Sequence, residues 1–116
     1  MNVQALKTEL CARYPYRMEL HAHTKPVSSC SEVLPCELVE TYKQLGYDAI
    51  TVTNHFMRTD RFTRDEYIDW YLNDYEETKR YGETVGLKVY LGAEIRFTEN
   101  INDYLVFGVD RTILED

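Results

Sequence analysis

An α/β fold is predicted by three features of the sequence. Helix-like and strand-like segments alternate in the order α-β-α-β-α-β-β. The first three strands are joined by segments long enough for helical crossovers, which implies parallel pairing. Each of these strands also carries an aliphatic face suited to packing on helices.

The elements follow in order. Residues 2–12 place Val3, Leu6 and Leu10 on one helical face, and Tyr14-Pro15-Tyr16 ends that helix. Residues 17–23 (RMELHAH) alternate as a strand. Pro35 suits the first position of a second helix, with Glu37 in its first turn. Its apolar stripe is Leu38, Val39, Tyr42 and Leu45, and Gly46 is its stop. Residues 48–53 (DAITVT) read as a short buried strand. Thr63-Arg64-Asp65-Glu66 has the spacing of a capping box. It opens a helix to about Val85, with Ile68, Tyr71, Leu72, Tyr75 and Val85 facing inward and Gly86 closing it. Gly82 inside this helix is read as permitting close packing. Residues 88–95 (KVYLGAEI) and 103–109 (DYLVFGV) are the third and fourth strands. The link from Arg96 to Asn102 is too short for a helical crossover, which leaves a hairpin or a loop that shifts strand order.

Composition narrows the function classes. A chain of 116 residues with 44% hydrophobic content, 10 Tyr, 4 Phe and 1 Trp is a globular chain of one domain, not a disordered or fibrous one. Thirteen Lys+Arg against 20 Asp+Glu give a net charge of −7. That balance argues against nonspecific binding to nucleic acid or anionic membranes, which needs clustered cations. A phosphate substrate stays open, because bound metal can supply positive charge locally. Cys11, Cys30 and Cys36 give no disulfide framework and no C-x-x-C pair, which fits a reducing compartment. Lys7 and Glu9 interrupt any signal-peptide core, and no apolar run approaches the ~20 residues of a bilayer span. The expectation is a cytoplasmic protein.

Strand parity points to a site. In the first strand Met18, Leu20 and Ala22 share one face, and Glu19, His21 and His23 the other. In the second, Ile50 and Val52 oppose Thr51, Thr53 and His55; in the third, Val89, Leu91, Ala93 and Ile95 oppose Tyr90, Gly92 and Glu94. The polar faces end in His21, His23, His55 and Glu94, all at carboxyl ends of strands, where α/β folds place active sites. Imidazole and carboxylate together suit a divalent transition metal. A lone histidine is more often a surface or hydrogen-bonded residue, but agreement of three strands favours a metal site. Arg58, Arg61 and Arg64 follow His55 in a loop and suit a substrate phosphate as well as a solvated loop. Lys25 is a weaker candidate of the same kind. Cys30 reads as a buried thiol rather than a soft ligand. Asp110 continues the inward parity of the fourth strand without matching a motif.

The runs Glu19-Leu20-His21-Ala22-His23-Thr24, Thr51-Val52-Thr53-Asn54-His55 and Leu91-Gly92-Ala93-Glu94-Ile95 resemble the PHP (polymerase and histidinol phosphatase) superfamily. The resemblance implies the N-terminal part of a distorted seven-stranded β/α barrel. It implies a phosphoesterase that works by metal-activated hydroxide, with up to three ions of the Zn, Mn or Fe class. His21 and His23 would bind the first ion, Glu94 would bridge two, and His55 would serve a third. Asn54 stands where the family often has Asp, and would orient a ligand by hydrogen bonding. The segment Thr24 to Ser31 lacks the acid or histidine that many members carry there, and no histidine follows His55. Closed β/α barrels need about 200 residues. The chain is therefore expected to be a single PHP-like domain over residues 1–116 without the C-terminal half. The substrate expected is a phosphorylated small molecule. The alternatives are a non-catalytic module associating through an open barrel edge, and an unrelated interaction domain with structural histidines.

Overall fold

The computed structural model describes residues 2–116. Its elements are α1 (Val3–Arg13), β1 (Met18–Ala22), α2 (Pro35–Gln44), β2 (Ala49–Val52), α3 (Arg64–Val85), β3 (Lys88–Arg96), β4 (Asp103–Phe107) and α4 (Arg111–Glu115). One four-stranded sheet has the order β1-β2-β3-β4. β1 and β2 pair in parallel, as do β2 and β3. β3 and β4 pair antiparallel, so the undecided link is a hairpin.

Local chemistry accounts for the element ends. Pro35 occupies the first turn of α2, and the side chain of Glu37 accepts from the backbone N–H of Leu34 at 2.9 Å. At α3 the capping box forms as expected, with Thr63 accepting from Glu66 and Glu66 reaching back to Thr63. Gly86 closes α3 with φ 75°. The fourth strand stops at Phe107, short of the expected residue 109. Asp110 is not a strand residue: it caps α4, an unforeseen helix, by accepting from the Ile113 N–H at 3.0 Å.

Two apolar clusters hold the sheet. One combines Ala22, Leu38, Val39, Ile50, Val52, Leu87 and Val89, with Tyr42 and Tyr75 against it. The other combines Val27, Ile68, Tyr71, Ala93 and Leu114. The inward stripes are otherwise shorter than expected. Leu45 and Val85 are exposed, because each sits at the last turn of its helix, beyond the sheet. No residue of α1 is buried, so Val3, Leu6 and Leu10 form an uncovered stripe.

Gly82 lets α3 touch the turn into β3. A Cβ there would stand 2.4 Å from the Leu87 carbonyl oxygen and 2.8 Å from Val89 Cγ2. Gly82→Ala is expected to lower stability by about 1–3 kcal/mol despite its better helix propensity. Denaturant unfolding checks this, and a wild-type midpoint would contradict the close approach.

Strict alternation fails in β1. Glu19 pairs with Ile50 but Ala22 with Val52, so Leu20 and His21 together oppose Thr51. This bulge inserts one residue and resets the parity. Glu19 therefore faces the helices, accepting from the Tyr42 hydroxyl at 3.1 Å, rather than sharing a face with His21 and His23. Burial, reinforced by the Glu19 charge, pushes the Tyr42 phenol up to about 12. Met18 and Leu20 lose their expected aliphatic face and stay exposed on this edge strand. The freed amides of Leu20 and His21 both donate to Glu19 Oε1 at 3.0 Å.

Candidate metal centre

Parallel pairing continues past β2 through an isolated bridge between His55 and Glu94. The Glu94 N–H donates to the Asn54 carbonyl at 3.0 Å, and the Phe56 N–H to the Glu94 carbonyl at 3.0 Å. On the other side, the Thr53 N–H donates to the Ala22 carbonyl at 2.8 Å, which sets the end of β1 beside that of β2. Three strand ends are thus in register at one rim of the sheet.

The side chains converge on a single atom. Glu94 Oε2 lies 2.6 Å from His23 Nε2, 3.1 Å from His21 Nε2 and 3.6 Å from His55 Nε2. The Nε2 atoms of His21 and His23 are 3.1 Å apart. Donors sharing one ion at bonds of ~2.1 Å stand about 3–3.4 Å from each other. The two 3.1 Å separations match that spacing, while the 2.6 Å contact of His23 is a hydrogen bond and His55 at 3.6 Å stands just outside it. Glu94 is 7% exposed, and among the described residues no Lys or Arg pairs with it. A buried carboxylate facing only imidazoles is an incomplete electrostatic arrangement that a cation completes. Burial pushes His23 below the usual histidine value, against the opposing pull of Glu94. The neutral ring that results is the form that offers a lone pair.

A buried polar network sits behind the cluster. Asn54 Oδ1 accepts from the Thr24 N–H at 2.7 Å and from the Ser28 hydroxyl at 2.8 Å. Asn54 Nδ2 donates to Thr24 Oγ1 at 2.8 Å and to Asp74 Oδ2 at 2.9 Å. Ser28 Oγ in turn accepts the His55 N–H at 3.0 Å. Asn54 therefore bonds no histidine ring. It ties the backbones that carry His23 and His55 to α3. Tyr71 and Tyr67 add clamps from the same helix, donating to the carbonyls of Asn54 (2.7 Å) and His55 (3.2 Å). Burial raises both phenols above their ordinary value, so they stay protonated donors.

The cluster opens in two directions. A groove of about 480 Å³ exposes His21, His23 and Cys30. A cavity of about 850 Å³ reaches Glu94 and His55 and is lined by Arg58, Arg64, Arg96 and Phe97. Arg58 thus stands on the approach to the cluster. Arg61 lies outside it, its guanidinium 5.6 Å from the Phe62 ring centroid, because the turn at residues 60–62 directs it away. Arg64 is occupied in donating to the carbonyls of Leu114 and Glu115. Lys25 lines neither opening. Cys30 is exposed rather than buried, with Sγ 3.2 Å from His23 Nδ1.

The PHP domain family model matches residues 19–112. The chain belongs to the PHP domain family. In this PHP domain the match runs from the strand bearing His21 and His23 into α4. A crystal structure of a protein from Bifidobacterium adolescentis, provisionally named a metal-dependent phosphoesterase, is similar with a TM-score of 0.51 and 24% identity. The similarity covers 78% of this chain and 26% of that one, so the chain spans about a quarter of that protein's length. The likeness is one of fold: a curled sheet with helices, as in part of a PHP barrel. No curated protein matches the chain. No helix among the described residues is long and apolar enough to cross a membrane.

Sequence reasoning missed Asp74 and Arg96 at this site, and took Cys30 for a buried thiol where it is exposed beside His23. Asp74 and Thr78 left a signal, since they are polar residues at stripe positions of α3, following Tyr71 by helical spacing. Arg96 left none, because only the hairpin register sets it on Asp103 with two bonds of 2.8 Å.

Proposed function

We propose that this PHP domain carries a divalent-metal centre for phosphoester hydrolysis, with His21, His23, His55 and Glu94 as its protein ligands. The observation that carries the proposal is the convergence of three imidazole nitrogens on one buried carboxylate oxygen. Bound ions of the Zn, Mn or Fe class supply Lewis-acid charge to a phosphoryl group and to the water that attacks it. Glu94 contributes the only formal charge of the four ligands and draws the ions to the rim. Asn54 and Ser28 hold the two histidine-bearing backbones in place. Arg58, on the wall of the larger cavity, offers its guanidinium to a phosphate oxygen of a small phosphorylated substrate.

The test combines metal analysis with a generic substrate. Purified protein is expected to contain Zn, Mn or Fe, to gain thermal stability on metal addition, and to hydrolyse p-nitrophenyl phosphate. Both His21→Ala and Glu94→Ala are expected to lose that activity. Absence of any metal response would refute the centre. Metal binding without hydrolysis would favour a non-catalytic module instead. That second reading draws on the edge strand β4, which leaves Tyr104, Leu105 and Phe107 exposed.

A further inference from the structure

His23 and His55 also belong to a second group of donors. One ligand atom each from His23, Cys30 and His55 lie within 4.8 Å of one another, beside the set formed by His21, His23 and Glu94. The thiol arrives on the segment from Thr24 to Ser31, and that segment is pinned. The Ser28 N–H donates to the Thr24 carbonyl at 2.9 Å, and the Ser31 N–H to the Ser28 carbonyl at 3.0 Å. The Ser31 hydroxyl donates to the His23 carbonyl at 3.1 Å. Ser28, fully buried, also takes the His55 N–H, so one residue places both the thiol loop and the third histidine. Between Thr24 and Ser31 there is no carboxylate and no imidazole, so Cys30 sulfur is the one strong metal donor this segment can deliver. The adjoining carboxylate of Glu94, more than nine-tenths buried and facing imidazoles alone, belongs to the first donor set.

We propose that Cys30 is a thiolate ligand of the centre, in a coordination position shared with His23 and His55. This rests on the metal-centre reading above. On binding, the sulfur–metal bond replaces the S–H bond and the proton leaves to solvent. Two imidazoles and a thiolate make a softer donor set than imidazoles and carboxylate. Such a set favours Zn(II) or Fe(II) over Mn(II) or Mg(II). It also adds a second negative charge, beside that of Glu94, on the His55 side of the cluster. The chain's own chemistry thus biases one position of the centre toward a thiophilic ion.

Cobalt(II) tests this with a readout other than activity. The metal-free full chain is loaded with Co(II), bound cobalt is measured by equilibrium dialysis, and the near-ultraviolet sulfur-to-cobalt charge-transfer band is recorded. The band is expected in the wild type and in a Cys11→Ser, Cys36→Ser double variant, and absent from Cys30→Ser. Cys30 is exposed, so the serine variant is expected to fold, as circular dichroism checks. Chelator competition is expected to show about a tenfold or larger loss of Zn(II) affinity in Cys30→Ser, with Mn(II) affinity changed by less than about twofold. Cobalt bound without the band, or a band that survives Cys30→Ser, overturns the thiolate assignment and leaves the metal centre standing. No cobalt bound at all overturns both.

Discussion

Glu94→Gln is expected to abolish metal-dependent stabilisation while leaving the metal-free protein as stable as the wild type, or more so. The two effects have opposite signs for one reason. In the metal-free state the carboxylate is 7% exposed among imidazoles, and its desolvation is repaid by no fixed positive charge. A neutral amide of the same shape removes that penalty. In the loaded state the same carboxylate supplies the charge that holds the ion. A ligand at 100 times its dissociation constant stabilises the folded state by about 2.7 kcal/mol. Affinity that falls by about 100-fold or more removes most of this. Thermal unfolding with and without Zn(II) or Mn(II) reads both quantities at once. A variant that still gains wild-type stability from metal would remove Glu94 from the ligand set.

Asn54→Asp is expected to destabilise the fold at pH 7 by about 3 kcal/mol or more. The cause is Asp74. Asn54 Nδ2 donates to Asp74 Oδ2, and a carboxylate at position 54 has no proton to give. Two buried carboxylates would then face each other, and the Thr24 hydroxyl would lose its donor. Asp74 already has an unpartnered Oδ1, and burial pushes its carboxyl up from 3.8 to about 6, against the hydrogen bonds from Thr24 and Asn54. The folded state therefore holds a proton that the unfolded state releases between pH 3.8 and about 6. Stability falls as pH rises through that window. A second carboxylate raises the folded value further and extends the loss to higher pH. The deficit is accordingly expected to shrink below pH 4, where a protonated carboxyl can again donate. Combining Asn54→Asp with Asp74→Asn reverses the donor and acceptor, and is expected to recover most of the stability. Urea unfolding across pH measures both variants, and a double variant no better than the single one would show that the pair is not coupled.

Much of the site was legible because strand periodicity is short. With a period of two, three strands place His21, His23, His55 and Glu94 at matching ends. Caps were equally readable, as Pro35, Thr63 with Glu66, and Gly86 act through bonds within a few residues. Glu19 was misplaced because a bulge is set by the partner strand, not by the strand that contains it. The place of Arg61 outside the cavity was not legible for a similar reason, since nothing in a loop's composition fixes where a long side chain points.

The order of elements, the acidic charge, the donor types and their place at strand ends are properties of local pattern, and the amino-acid sequence carried them unaided. Long-range contacts decided the rest. Packing of α3 under the β2 end turned Asn54 from a presumed ligand-orienting group into the centre of a buried network with Asp74. The fold of the Thr24–Ser31 segment over β1 brought Cys30 beside His23. The Asn54–Asp74 contact joins residues 20 apart through their side chains, and the Cys30–His23 contact depends on how a loop folds back. Neither has a periodicity that a sequence could display.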